Sequence, residues 1–430
     1  MIVTVTANPA VDLTWHVASL TLGGVHRADA GRARAGGKGL NVARIAHAQG
    51  AAVVAVTTTG GATGAEFAAE LQASGVPHVL VPVAAATRRS IALVDEAEGD
   101  TTIVNERGVA PTVEEWAALK DAVAEALAAG HGLGADTPGV GPIRGKRPDS
   151  GVSASEVQRT DAVAEAPTGA ADVLVISGSF PPGTPDDLLP ALIRIGRDAG
   201  ATVIADTSGP ALLVAADAGA SVLKPNEHEL RDATGLDDPI DGARELLRRG
   251  ADLVLLSLGK DGMLAVSAAD RSGADTPDVG PIRGERPKSG VSAPRVDRPD
   301  ESDAGGGTDA GPRPSVGGRS DAGNGTDAGN GTYAGSRPAV DVLQARLDTP
   351  LAGNPTGAGD AGVAACAVLM GAGIRDPERI LRRATAWSAA AVLMPLAGDI
   401  HPTWPALESA LTVTRVTPCP STSVDPKESR

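Results

Sequence analysis

Short apolar runs alternate with helix-period segments along most of the chain. The strand-like runs are MIVTVTA, AAVVAVTTTG, DVLVISG, TVIADTS, SVLKPNE and DLVLLSLG. Between them lie GLNVARIAHAQG, GAEFAAELQASG, DDLLPALIRIGRDAG and DGARELLRRG, whose apolar residues recur at helical spacing. Runs of Val, Ile and Leu bounded by helices predict a parallel sheet buried on both faces. The expected fold is α/β: a doubly wound, mostly parallel sheet flanked by helices, binding its ligand beyond the carboxyl ends of the strands. Four pieces break the rhythm: Leu13–Leu20, His26–Ala35, Arg89–Asp95 and Thr101–Gly108. Their alternating polarity predicts a small second sheet, with lid strands at about 13–35 and 89–108, over the ligand edge.

Two passages do not fit this scheme. GADTPGVGPIRGKRPDSGVSA (Gly134–Ala154) recurs with three substitutions as GADTPDVGPIRGERPKSGVSA (Gly273–Ala293), and the second copy leads into TDAGNGTDAGNGTYAGSRP. Two distant copies, rich in Gly, Pro, Asp and Ser, are not a tandem folding unit. They lack the apolar surface that would offset the entropy of ordering them. Residues 131–168 and 268–340 are therefore expected to be disordered insertions, and 417–430 a flexible tail, in one domain spanning 1–430. Without the insertions roughly 320 residues remain, which suits one large α/β domain. In sequence the second insertion lies between SLGKDG and the Asn354–Asp360 loop, so its removal is expected to bear on whatever those two loops bind.

Composition narrows the class. A hydrophobic fraction of 42% with only 2% aromatics means that Ala, Val and Leu build the core. A net charge of −15 argues against nucleic acid as a partner, which needs clustered Lys and Arg. It leaves anionic small molecules open, because a few arginines in a cleft outweigh a distant acidic surface. Cys366 and Cys419 make neither a disulfide framework nor a zinc site, and Cys366 reads as a small core residue. The start MIVTVTANPAVD lacks a signal peptide's basic and long apolar regions, and Ala361–Met370 and Ala389–Leu396 are too short or interrupted to span a bilayer. A cytoplasmic protein with no membrane partner is expected.

Four loops carry candidate chemistry. In GNPTGAGDAG (Gly353–Gly362) the small residues Gly357, Ala358 and Gly359 precede Asp360 at a helix start. This is either a plain cap or an anion site with a carboxylate beside it. AGGKGLN (Ala35–Asn41) offers close backbone approach at Gly36, Gly37 and Gly39, a charge at Lys38 and an amide at Asn41; it lacks the spacing and the Ser or Thr of a Walker A loop. LVLLSLGKDGML places Ser257, Gly259 and Gly262 after a buried strand, as a hairpin turn or a phosphate contact. LKPNEHEL supplies Lys224, Asn226 and Glu229, as solvated surface or as ligand groups.

In this order the pieces resemble the ribokinase-like (PfkB) family of carbohydrate kinases, through GGKGLNVAR, SGSFPPG (Ser177–Gly183), KPNEHEL, SLGKDG and PTGAGDA. TVTANPAVDLT, the Thr87–Arg89 triplet TRR and VNERG (Val104–Gly108) are most similar to the 1-phosphofructokinase and tagatose-6-phosphate kinase branch. The resemblance implies ATP-dependent phosphorylation of a phosphorylated ketohexose. It implies Asp360 as the base that takes the sugar hydroxyl proton, with Gly357, Ala358 and Gly359 as the anion hole. Asp12, Gly37, Lys38, Asn41 and Asn105 would hold the sugar, with Arg27 and Arg88 on its phosphate and Lys38 within reach of it. Lys224, Ser257, Gly259 and Gly262 would contact ATP, and Asn226 and Glu229 would organise Mg2+ through water. A homodimer through the lid is the expected assembly. Ser90, Arg107 and Pro355 depart from the family's usual residues, the first two at the sugar site. The alternatives are a kinase for an unphosphorylated sugar or nucleoside, on which Arg27 and Arg88 would be wasted, and a non-catalytic sugar sensor, which would lack the base or the anion hole.

Overall fold

The computed structural model describes residues 1–131, 171–269 and 339–417. The chain enters through β1 (Ile2–Thr6), β2 (Ala10–Val17), β3 (Arg32–Gly36) and α1 (Lys38–Ala48). It continues through β4 (Val53–Thr59), α2 (Gly61–Ser74), β5 (His78–Pro82), β6 (Arg88–Asp95), β7 (Thr101–Asn105) and α3 (Val113–His131). The second described stretch holds β8 (Val173–Ser177), α4 (Leu188–Asp198), β9 (Thr202–Asp206), α5 (Pro210–Asp217) and β10 (Val222–Leu223). It ends with α6 (Glu227–Thr234), α7 (Pro239–Arg249), β11 (Leu253–Ser257) and β12 (Met263–Ala268). The last stretch holds β13 (Val340–Arg346), α8 (Ala358–Gly371), α9 (Pro377–Val392), α10 (Trp404–Ser409) and β14 (Thr412–Arg415).

A 10-stranded sheet has the order β14-β13-β12-β11-β10-β9-β8-β1-β4-β5. It is parallel from β5 to β11 and antiparallel from β11 to β14. Both faces are buried, as the apolar runs require. In β8, Val173 and Val175 join one core cluster with residues of α1, α2, α8 and α9, while Leu174 and Ile176 join another with residues of α3, α4, α5, α6 and α7. Cys366 is fully buried in the first of these clusters, as expected of a small core residue. The helices α3 and α9 add to the elements expected from sequence.

The second sheet has four strands in the order β3-β2-β6-β7. Its limits differ from the expected ones. β2 begins at Ala10, so Asp12 lies within the strand, and β3 begins at Arg32, leaving 18–31 as an exposed connection. His26, Arg27 and Asp29 have no buried face to alternate against, so nothing holds them in a ladder. The expected strand SVLKPNE shrinks to Val222–Leu223, because Pro225 cannot donate to a ladder.

The two insertions and the tail lie, apart from their end residues, outside the described residues, as does Cys419. Their end residues are informative. Ala268 pairs with Val340, and Ala269 N donates to Ala339 O at 3.0 Å, so the two ends of the second passage are neighbours at the end of the β12–β13 hairpin. In the register Leu253 faces Ser267 and Ser257 faces Met263. The hairpin end therefore sits at the edge where the parallel strands begin. The first passage leaves from the same edge: Gly130 packs on Met1, and Val173 N donates to Met1 O at 2.9 Å. Both passages thus join the core opposite the carboxyl edge. The end residues of the second one therefore stand at the opposite edge of the sheet from SLGKDG and Asn354–Asp360, between which it falls in sequence.

Candidate active site

The carboxyl ends of β1, β8, β9, β10 and β11 open on a cavity of about 1040 Å³, closed on one side by lid residues Asp12, Arg88, Asn105 and Arg107. Every expected site residue except Arg27 lines it. Arg27 sits in the exposed 18–31 connection and does not reach it.

At the sheet side, Gly357 caps α8 with φ 86, a left-handed conformation that suits glycine. The turn tightens when Ala358 N donates to Pro355 O at 3.1 Å. Ala358 therefore spends the N–H that was expected in the anion hole. The N–H groups of Gly359 and Asp360 find no carbonyl partner among the described residues, leaving a helix N-terminus with free donors. A Cβ on Gly359 would stand 3.3 Å from Lys224 Nζ, so a buried ammonium adjoins these donors. Asp360 is 5% exposed, and Asn41 Nδ2 donates to its Oδ2 at 2.8 Å. Burial and the nearby Asp206 push its pKa up to about 7, against the pull of Lys38, Asn41 and Lys224.

Asp206 is a buried, paired carboxylate of the cavity wall that is not among the residues expected from sequence. It ends β9, buried, accepts from Ser177 Oγ at 2.8 Å and pairs with Lys38 Nζ at 3.4 Å. Burial works to raise its pKa, yet Lys38 and Lys224 together hold it below the ordinary value. The signal was present: an Asp at the carboxyl end of a fully buried parallel strand. Its partner Lys38 is raised above the ordinary lysine range, chiefly by Asp206, with Asp360 and Glu229 adding to the effect. Lys38 thus stands among carboxylates at the sheet side, away from the lid end where it was expected to reach a sugar phosphate.

Asn226 and Glu229 form a capping box on α6: Glu229 N donates to Asn226 Oδ1 at 2.8 Å, and Asn226 N to Glu229 Oε2 at 2.9 Å. Both still line the cavity, with Glu229 Oε1 outside the box. Ser257, Gly259 and Gly262 lie in the β11–β12 turn and line the same wall, so the hairpin and the contact surface coincide.

On the lid, Asp12 lies against Gly36, and a Cβ there would collide with its carboxylate. Burial pushes Asp12 up to about 6, although Arg88 and Arg34 oppose this. Arg88 Nε donates to Asn8 O and Oδ1 at 3.3 and 3.1 Å, and its Nη1 donates to Glu106 O at 3.2 Å. Asn8 Nδ2 donates in turn to Arg107 O at 3.2 Å and Ser179 Oγ at 3.3 Å. Arg88, Arg107 and the SGSFPPG loop are thereby gathered at one part of the cavity. The guanidinium of Arg107 has no partner among the described residues.

The chain is similar to known proteins in sequence and in fold. The pfkB family of carbohydrate kinases matches residues 5–131 and 148–281. The chain is 30% identical to a 1-phosphofructokinase of Rhodobacter capsulatus over 274 residues, 63% of this chain and 74% of that protein. It is 34% identical to an ATP-dependent 6-phosphofructokinase isozyme 2 of Mycobacterium tuberculosis over 269 residues, covering 61% and 67%. The crystal structure of phosphofructokinase-2 from Escherichia coli in complex with fructose-6-phosphate superposes with a TM-score of 0.62 at 22% identity, covering 95% of this chain and 98% of that one. Fold, cavity and sequence agree, and the chain belongs to the pfkB family of carbohydrate kinases.

Proposed function

We propose that this ATP-dependent carbohydrate kinase transfers the γ-phosphoryl of ATP to a phosphorylated ketohexose of the fructose 1-phosphate or tagatose 6-phosphate type. The observation that carries the reading is the buried Asp360, held by Asn41 next to free helix N-terminal donors and Lys224. A sugar hydroxyl oxygen attacks Pγ as its proton passes to Asp360. The new O–Pγ bond forms while the bond from Pγ to the β-phosphate bridging oxygen breaks, and ADP leaves. Charge on the transferring group is met by the free N–H groups of Gly359 and Asp360 and by Lys224, fixed donors that need no reorganisation. A carboxylate near neutrality is well matched to this proton transfer.

Asp12, Asn41 and Asn105 hold sugar hydroxyls, and Arg88 takes the substrate's own phosphate, since a guanidinium grips phosphate through paired bonds. Lys224, Ser257, Gly259 and Gly262 contact ATP. Among the described residues no three His, Cys, Asp or Glu form a metal cluster, which suits Mg2+, an ion that keeps most of its water. Glu229 Oε1 is the free oxygen of the donor set, and with Asn226 it would hold Mg2+ through water. The ion supplies charge neutralisation on the phosphates. The exposed Ile103 and Val104 on β7 support a homodimer through the lid.

A coupled ADP-release screen over fructose 1-phosphate, fructose 6-phosphate, tagatose 6-phosphate, fructose and ribose tests the reading. A hexose phosphate should give the highest kcat/KM. Preference for fructose or ribose overturns the substrate assignment, and sugar binding without ADP release overturns the catalytic one.

A further inference from the structure

Arg34 lies on β3, directly across from Asp12 on β2. Its side chain leaves the lid and grips the loop after α9: Nη1 donates to Ala397 O at 2.7 Å and to Asp399 Oδ2 at 2.9 Å, and Nη2 donates to Asp399 Oδ1 at 3.2 Å. Among the described residues these are the hydrogen bonds made to Ala397 and Asp399. That loop is the backing of the catalytic turn. A Cβ on Gly357 would stand 2.8 Å from Ala397 Cα and Cβ, and one on Gly398 would stand 3.0 Å from Asn41 Oδ1. Asn354, at the start of the same turn, donates through Nδ2 to Pro395 O at 3.2 Å and through its backbone N to Val392 O at 2.8 Å. The lid, the Ala397 loop, the Gly357 turn and the Asn41–Asp360 pair are thus in serial contact.

We propose that Arg34 and Asp399 form a clamp that sets the position of the anion-binding turn from the lid, making Arg34 a positioning residue for phosphoryl transfer. The bidentate fork explains the choice of arginine: two parallel bonds fix orientation, where a lysine would give one flexible contact. A turn released by fractions of an ångström misplaces both the free N–H groups and Asp360 against Pγ, and such misplacement costs rate more than affinity. The proposal rests on the assignment of the Gly357–Asp360 turn as the phosphoryl-binding turn.

The test is steady-state kinetics of Arg34→Ala, Arg34→Lys and Asp399→Ala on the sugar that wild type turns over, with ADP titration and thermal melting alongside. Asp399→Ala opens the clamp while leaving the Arg34 charge beside Asp12. We expect kcat to fall about 10-fold or more in Arg34→Ala and about 3-fold in Asp399→Ala, with ADP affinity within about twofold of wild type. Arg34→Lys should fall between wild type and Arg34→Ala. If Asp399→Ala keeps wild-type kcat and Arg34→Ala raises only the sugar KM, Arg34 acts through Asp12 and the clamp is refuted. Lowered melting temperatures with unchanged kcat refute it as well. Should Arg34→Ala not fold, Arg34→Lys and Asp399→Ala decide. Asp360→Asn run in parallel separates the two assignments: if it keeps turnover, the turn's role falls, and if it is inactive while the clamp variants are normal, only the clamp falls.

Discussion

Asn41 and Asp360, 319 positions apart in sequence, are joined by a 2.8 Å hydrogen bond from Asn41 Nδ2 to Asp360 Oδ2. Asn41 comes from α1, which follows lid strand β3, and Asp360 from α8, which follows β13. The bond occupies one carboxylate oxygen, so Oδ1 is the one left to accept a proton. It also favours the ionised form, opposing the burial that raises this group.

Asp360→Asn keeps the shape of the carboxylate and removes the base. Turnover should drop by at least about 10²-fold, with ADP binding retained. Stability gives an independent readout. The folded pKa of Asp360, about 7, is above the ordinary aspartate value of 3.8, so the wild type loses stability as pH rises from about 4 through about 7. The Asn variant does not titrate, and its melting temperature should exceed that of the wild type by a margin that grows over this window and then levels off. Equal melting curves at pH 5 and pH 8 would contradict the raised pKa.

The proposed base must be ionised to accept a proton, so kcat/KM should fall as pH drops through about 7. Asn41→Ala removes a bond that lowers the Asp360 pKa, and it should move this acidic limb to higher pH. A limb that stays in place, measured on kcat/KM, would separate Asn41 from the titration.

Arg88→Ala should raise KM for the hexose phosphate by about ten- to a hundred-fold, as loss of charge-assisted bonds implies, with little change for ATP. Arg107 lines the same part of the cavity and is tied to Arg88 through Asn8, so Arg107→Ala should act in the same direction more weakly. Neither change should matter much for residual activity on free fructose. A uniform effect on phosphorylated and free sugars would show that the arginines support the lid and do not contact phosphate.

Replacing 270–338 with a short Gly/Ser link between Ala269 and Ala339 should give a folded enzyme with an unchanged KM for ATP. The two ends already meet as neighbours across a paired hairpin, and they lie at the sheet edge away from the cavity. Closing a long loop costs little more than closing a short one, so stability should hardly move. A changed ATP KM in the deleted protein would place the passage at the nucleotide after all.

The layers of this protein were legible because their signals are local. An apolar run such as DVLVISG needs no partner to announce a strand buried on both faces, and GLNVARIAHAQG carries its own helical period. The Gly357–Asp360 turn was legible too, since small residues before an acid mark a helix start whatever surrounds them. Position relative to other segments was another matter. TVIADTS places Asp206 at the carboxyl end of a strand but does not say what it faces; the sheet order, which sets β9 beside β8 and β10, buries it between Lys38, Lys224 and Ser177. Arg27 and Arg34 both fall in the expected strand His26–Ala35, and the fold separates them: β3 begins at Arg32, which leaves Arg27 outside in solvent and brings Arg34 against Ala397 and Asp399. Sequence order also sets the second insertion between SLGKDG and the Asn354–Asp360 loop, whereas the antiparallel hairpin puts its end residues a strand length from both. Period and capping act over a few residues and can be read from them; burial, register and charge pairing are sums over distant segments, and only the folded chain performs the sum.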